Sequence, residues 1–324
     1  MKNLLITGGL GFIGSNFINT VFKKGIFRII NLDAEINCNN ETIIDPYIRA
    51  SPCYTFIKGN FGDRELVTKI LNEYKIEYVL DLAALVLRAN MFEHPIPYAQ
   101  NNVLNTCIFL ETCRDYGKLK LFLTMSTMFT DIVKSVNYNR QNNFKYLNAY
   151  SVSKSNALDW MILYRDVYKM PIIIAFGEAI IGKEQCMPAL VMDYLKLLQC
   201  DKKIDININD TTKLNYVYIT NVVSALDILL DRGSSKFVYE IIDKQNSYYT
   251  DTQIAELLVK FYKKTTDYKK WINYINSPQH FNERLYPHDN NRLLKLGWEI
   301  KISAEQGLKI IANTFDETHS KCDC

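Results

Sequence analysis

The segment Thr7–Gly14, TGGLGFIG, constrains this chain more than any other feature. It follows a short apolar run, NLLI, and opens a stretch with helical spacing from about Gly14 to Lys24. Strand, glycine turn and helix in that order begin a βαβ unit. Glycine lets a backbone turn tightly and come within hydrogen-bonding distance of a pyrophosphate, and a helix N-terminus adds unpaired N–H groups and a positive dipole end. Gly8, Gly11 and Gly14 are therefore expected to hold a dinucleotide. Asp33 closes the next apolar run, FRIINLD, about twenty residues after the last glycine. A carboxylate there accepts the adenosine ribose hydroxyls and repels a 2′-phosphate, which favours NAD over NADP.

The same rhythm continues downstream. FRIINLD, YVLDLAA, LKLFLTMS and PIIIAF are near-continuous apolar runs, as strands buried on both faces of a parallel sheet should be. Helical patterns separate them, over about Arg64–Glu73, Pro97–Tyr116 and Tyr150–Val167. The implied fold is α/β, a Rossmann doubly wound parallel sheet with a smaller mixed C-terminal substrate domain. Residues 1–180 read as the nucleotide domain, with about 214–242 returning to it through NYVYITNVVSALDILL and KFVYEIID, and 181–324 as mainly the substrate domain.

Composition narrows the function by exclusion. With 38 basic and 35 acidic residues the net charge is only +3, and no long basic block offers a footprint for nucleic acid or an anionic membrane surface. No apolar stretch approaches a membrane span, the longest, PIIIAFGEAII, being cut by Gly177 and Glu178. The eight cysteines are scattered along the chain, so reduced thiols and a cytoplasmic location are expected. His319, Cys322 and Cys324 at the terminus are read as a tail rather than a metal clip, and His94, His280 and His288 form no cluster in sequence. No metal is expected.

Tyr150 and Lys154 in NAYSVSK stand one helical turn apart, on one face. A phenol is a poor base at neutral pH, but an adjacent ammonium favours the phenolate. Such a tyrosine can take a hydroxyl proton while hydride leaves the same carbon. Tyr-x-x-x-Lys alone is a weak signal in a chain with 21 tyrosines. Its position strengthens it, since it follows a strand ending in Ser126–Thr127, where a hydroxyl can bond the same substrate oxygen.

TGGLGFIGSN, Asp33, LAA at Leu82–Ala84, MST at Met125–Thr127 and YSVSK together resemble the extended short-chain dehydrogenase/reductase superfamily. Within it the chain is most similar to the nucleoside-diphosphate-glucose 4,6-dehydratases, with NNVLNT at Asn101–Thr106 and LGW at Leu296–Trp298 as further echoes. The resemblance implies tightly held NAD, a nucleotide-sugar substrate and a homodimer built by pairing the two long helices. It implies that Gly8, Gly11, Phe12, Ile13 and Gly14 hold the pyrophosphate and Asp33 the ribose. Asn60 and Phe61 would flank the adenine, where the family usually has an acid at the first position. Leu82, Ala83 and Ala84 would line the cofactor, and Thr127, Tyr150 and Lys154 would form the catalytic triad.

The resemblance also exposes departures. A 4,6-dehydratase needs an acid to expel the C6 hydroxyl and a base for the C5 proton, and the family places Asp-Glu directly after the Ser-Thr pair. This chain has Met128–Phe129, neither of which can transfer a proton, with Asp131 the nearest replacement. LVLRAN follows LAA where a polar stretch is usual, and Phe176 and Glu178 stand where the family has substrate-binding polar residues. Leu214 and Leu285–Tyr286 replace arginine-bearing positions, leaving Lys183, Lys213 and Arg284 as the basic residues nearby. Two readings follow. One is a nucleotide-sugar epimerase or reductase, which needs only the triad; the other is a dehydratase-like pseudoenzyme serving as a scaffold or as the heterodimer partner of an active paralogue.

Overall fold

The computed structural model describes residues 1–36, 41–86, 93–128, 130, 148–183, 185, 189–244, 247–276 and 289–318. Helices of ten or more residues are labelled. The chain begins with β1 (Lys2–Thr7), α1 (Phe12–Val21), β2 (Phe27–Asp33), β3 (Tyr54–Lys58), α2 (Arg64–Glu73), β4 (Tyr78–Asp81), α3 (Asn105–Tyr116), β5 (Leu121–Thr127), α4 (Ala149–Asp166) and β6 (Ile172–Gly177). It continues through β7 (Ala179–Ile181), α5 (Leu190–Gln199), β8 (Ile204–Asn207), β9 (Leu214–Tyr218), α6 (Ile219–Arg232), β10 (Val238–Glu240), β11 (Tyr248–Tyr249), α7 (Asp251–Tyr262), β12 (Ile272–Ile275) and α8 (Ala304–Thr318).

Seven strands form one parallel sheet in the order β10-β6-β5-β4-β1-β2-β3. Alternation along each strand divides the core in two. Leu4, Ile6, Ile29, Leu80 and Leu123 face one side, where α1 and α6 cover them through Phe17, Ile18, Val222 and Leu226. Leu5, Ile30, Val79 and Phe122 face the other, under α2, α3 and α4 through Leu71, Phe109 and Leu158. Both faces are sealed, which is why the strands read as unbroken apolar runs. The chain winds outward from β1 in both directions, so the switch point, where ligands bind in such sheets, lies between β1 and β4. β11-β9-β7 and β12-β8 are small separate sheets, and β10 joins the main sheet beside β6.

Several expectations shift. The first helix starts at Phe12, because Gly11, with extended backbone, is its N-cap. The helix expected over Pro97–Tyr116 is a turn at Ile96–Tyr98, a π-helical stretch at Ala99–Leu104 and then α3. The strand expected over KFVYEIID narrows to β10, since beyond it Asp243 N–H turns to the Asn215 side chain. Cys53, Cys107 and Cys113 are free, whereas Cys200 is disulfide-bonded, which corrects the expectation of thiols throughout. Spacing along a sequence does not reveal which cysteines meet after folding.

Candidate active site

At the switch point a cleft, open to solvent, runs across the C-terminal ends of β1, β2, β3 and β4. Gly8, Gly11, Asp33, Asn60, Phe61, Leu82, Ala83 and Ala84 line it, joined by Leu10, Ile36, Leu85 and Asn101. Phe12, Ile13 and Gly14 stand beside it in the first turn of α1, where backbone N–H groups have no intrahelical acceptor.

The three motif glycines serve different ends. Gly8 has a left-handed backbone (φ +70°), and a Cβ there would lie 2.8 Å from the Ala83 backbone. A Cβ at Gly14 would lie 2.5 Å from the Gly8 carbonyl oxygen. Both are demanded by the packing of the turn itself. A Cβ at Gly11 would meet only the Gly8 oxygen, at 3.1 Å, so its bareness leaves room in the cleft. Asp33 ties the cleft wall together. Leu10 N–H donates to its Oδ2 at 3.0 Å and Glu35 N–H to its Oδ1 at 2.8 Å. Each oxygen keeps a lone pair for a ligand hydroxyl.

Thr127 ends β5, and Tyr150 lies in the first turn of α4, within the Asn148–Ser151 capping box. A side-chain hydrogen bond joins Tyr150 to Thr127, while Lys154 Nζ donates to the Met125 carbonyl at 2.9 Å. Helix and strand are thus pinned to each other through Thr127, Tyr150 and Lys154. Burial pushes the Tyr150 phenol up to about 12, opposed by the Thr127 hydrogen bond. Burial also lowers the Lys154 ammonium, opposed by the carboxylate of Asp81. The Ser126 hydroxyl beside them is buried without a partner among the described residues.

Residues 5–311 match the model of the GDP-mannose 4,6 dehydratase family. The chain belongs to that family. It is 32% identical to a dTDP-D-glucose 4,6-dehydratase of Dictyostelium discoideum, over 95% of this chain and 80% of that one. The crystal structure of dTDP-glucose 4,6-dehydratase from Bacillus anthracis in complex with NAD superposes with a TM-score of 0.80 at 26% identity, covering 98% of this chain and 97% of that one. A UDP-glucose 4-epimerase from Thermotoga maritima with UDP-glucose shares the fold at TM-score 0.80 and 23% identity, covering 98% and 99% of the two chains. The family is that of the NAD-dependent nucleotide-sugar dehydratases and epimerases, within the extended short-chain dehydrogenase/reductase superfamily.

The described positions at which the sequence departs from the family pattern on the expected substrate side are not among the residues lining the cleft. Met128 is buried, its N–H donating to the Gly177 carbonyl at 3.1 Å. Glu178 Oε2 accepts the Asn215 N–H at 2.9 Å, so that carboxylate fastens β9 rather than standing open. Phe176 and Leu214 are half-buried core neighbours, Lys183 is half-buried, and Lys213 is exposed. Phe129, Asp131, Arg284, Leu285, Tyr286, His280, His288, His319, Cys322 and Cys324 lie outside the described residues, and His94 is exposed. Among the described residues no group of three or more His, Cys, Asp or Glu could hold a metal, and no helix is long and apolar enough to cross a membrane.

Two polar devices escaped the sequence reading. Thr7, Asp81 and Thr124 stand in register across β1, β4 and β5. The Thr7 hydroxyl donates to Asp81 Oδ1 at 2.7 Å and the Thr124 hydroxyl to Oδ2 at 3.1 Å. Burial raises the Asp81 carboxyl, opposed by Thr7, Lys154 and Thr124. Asn102, in the π-helical stretch, accepts the Leu85 N–H at 2.8 Å and donates to the Leu85 carbonyl and to Ser153 Oγ, both at 2.9 Å. It holds the segment after LAA against α4. The NNVLNT motif was the signal for it, but a motif does not show which backbone an asparagine will grip.

Proposed function

We propose that this protein binds NAD and oxidises or reduces a hydroxyl of a nucleotide sugar, in the manner of an epimerase or keto-reductase. The observation that carries the reading is the Tyr150–Thr127 hydrogen bond with Lys154 buried and bonded to the Met125 carbonyl, at the end of β5 and next in the sheet to β4, which leads into the glycine-lined cleft. Tyr150 takes the proton of the sugar hydroxyl, Thr127 bonds the same oxygen, and Lys154 supports the phenolate. A phenol near 12 is a poor base alone at neutral pH; the reading assigns the missing push to the Lys154 ammonium one helical turn away. NAD, when bound, supplies the hydride acceptor. Gly8, Gly11 and the first turn of α1 take its pyrophosphate, Asp33 its ribose, and Leu82, Ala83 and Ala84 the wall beside it. The room left at Gly11 and the orphaned Ser126 hydroxyl fit such a ligand.

Efficient 4,6-dehydration is not part of the proposal, because Met128 holds no proton where elimination needs one. The same residue supports the second reading, a dehydratase-like scaffold that binds cofactor without turnover. Incubating the protein with NAD and a panel of UDP- and dTDP-sugars, followed by mass spectrometry, separates the two. Keto formation or an epimer supports the enzyme, and an unchanged panel supports the scaffold. Titration calorimetry should show clear preference for NAD over NADP, and equal affinities would remove the role given to Asp33.

The proposal extends to organisation. Residues 1–180 with 214–242 act as the nucleotide unit, and 181–324 mainly as the substrate unit, in a cytoplasmic protein. Leu104, Val152 and Trp160, all exposed along the two long helical segments, support pairing into a homodimer. Trp160→Glu should then yield a monomer in light scattering.

A further inference from the structure

We infer that Asn60 meets the base of the bound dinucleotide as a hydrogen-bond donor, so that the cleft takes a purine with a carbonyl oxygen at C6 as readily as adenine. The inference rests on the dinucleotide reading above. Across the sheet order β1, β2, β3 the glycine turn, Asp33 and Asn60 follow one another along the cleft, which is the order of pyrophosphate, ribose and base in a dinucleotide.

The Asn60 amide has a fixed orientation. Its Oδ1 accepts the Gly62 N–H at 2.8 Å and Asn105 Nδ2 at 3.1 Å. A backbone N–H can only donate, so the Gly62 bond determines which end of the amide is oxygen. Asn105 reaches that oxygen because residue 62 is glycine, as a Cβ there would lie 2.4 Å from Asn105 Cγ. With Oδ1 engaged twice, what Asn60 has left is the two N–H bonds of Nδ2. An adenine 6-amino group needs an acceptor, which this side chain does not offer. The spare N–H bonds suit a ring nitrogen or a 6-oxo oxygen. A carboxylate at residue 60 would behave oppositely, serving Gly62 and Asn105 with one oxygen and offering the other to the amine.

The test is calorimetric titration of the full chain with NAD and with nicotinamide hypoxanthine dinucleotide. The parent protein should bind the two within about threefold. In Asn60→Asp the hypoxanthine form should weaken relative to NAD by about tenfold, the scale of one well-made hydrogen bond. Tenfold or greater preference for NAD in the parent overturns the inference, and so does an unchanged ratio in Asn60→Asp. The parent ratio decides the matter should the variant fail to fold. If neither dinucleotide binds, the dinucleotide reading itself falls, and this inference with it.

Discussion

At the glycine turn the cleft is lined by backbone and by the lack of side chains, whereas at the end of β5 stand Thr127, Tyr150 and Lys154, side chains from separate segments. The first arrangement depends on where the backbone runs, which the packing of Gly8 and Gly14 against Ala83 and the turn enforces. The second depends on chemical identity. The methionine at residue 128 is buried and carries no group that can transfer a proton. On the proposed reading, the cofactor end rests on backbone packing and the reacting end on the identity of single side chains.

The sharpest way to break this contrast is Gly11→Val. Its side chain should fill the pyrophosphate space while the turn itself gives by only a few tenths of an ångström. Dinucleotide affinity should fall by on the order of a hundredfold or more, about 2.7 kcal/mol, with little change in melting temperature. Equal binding in calorimetry would show that the bare position does not serve a ligand. By contrast, Gly14→Val should compromise folding, because its Cβ has backbone in the way.

At the reacting end, Tyr150→Phe keeps the ring and removes the proton acceptor. On any sugar the parent converts, turnover should drop by about a hundredfold to ten-thousandfold, with on the order of 1 kcal/mol lost from the Thr127 bond. A variant that keeps its rate would take Tyr150 out of the chemistry.

Asp81 joins β1, β4 and β5, and Asp81→Ala leaves the Thr7 and Thr124 hydroxyls without the acceptor they share, at about 1–3 kcal/mol. Burial raises the Asp81 carboxyl, so the protonated form favours the fold. That contribution is whole below the ordinary carboxylate range and is lost as pH rises through the raised value. The stability gap between parent and variant should narrow with rising pH in thermal melts. A gap that widens would reverse the assignment.

The smallest effect is expected from Asn148→Ala. Asn148 Oδ1 accepts the Ser151 N–H at 3.0 Å and Ser151 Oγ accepts the Asn148 N–H at 3.1 Å, two residues before Tyr150 and one after it. Losing this cap should cost about 1 kcal/mol and about 1.5 °C in a protein of this size. If turnover falls by more than that loss explains, the cap also positions Tyr150.

Legibility in the sequence follows the same contrast. Strand, glycine turn, α1 and Asp33 lie within one short stretch, so local spacing carries them, and α2 runs over Arg64–Glu73 as the pattern implies. The π-helical stretch at Ala99–Leu104 was hidden within a helix pattern, because one extra residue per turn does not disturb apolar periodicity enough to be read. Asn101 and Asn102 were visible as a motif but not as a cleft wall and a clamp on Leu85.

The amino-acid sequence by itself determined the parallel α/β sheet, the dinucleotide turn and the family resemblance, since each is written in periodicity or in residues close along the chain. Tertiary structure alone decided which strands stand in register, and register placed Thr7, Asp81 and Thr124 in one buried row. It also decided that Glu178 fastens Asn215, and that Asn60 spends its oxygen on Gly62 and Asn105. Hydrogen bonds between residues far apart in sequence depend on distances that exist only after the sheet has assembled, and no spacing along the chain encodes them.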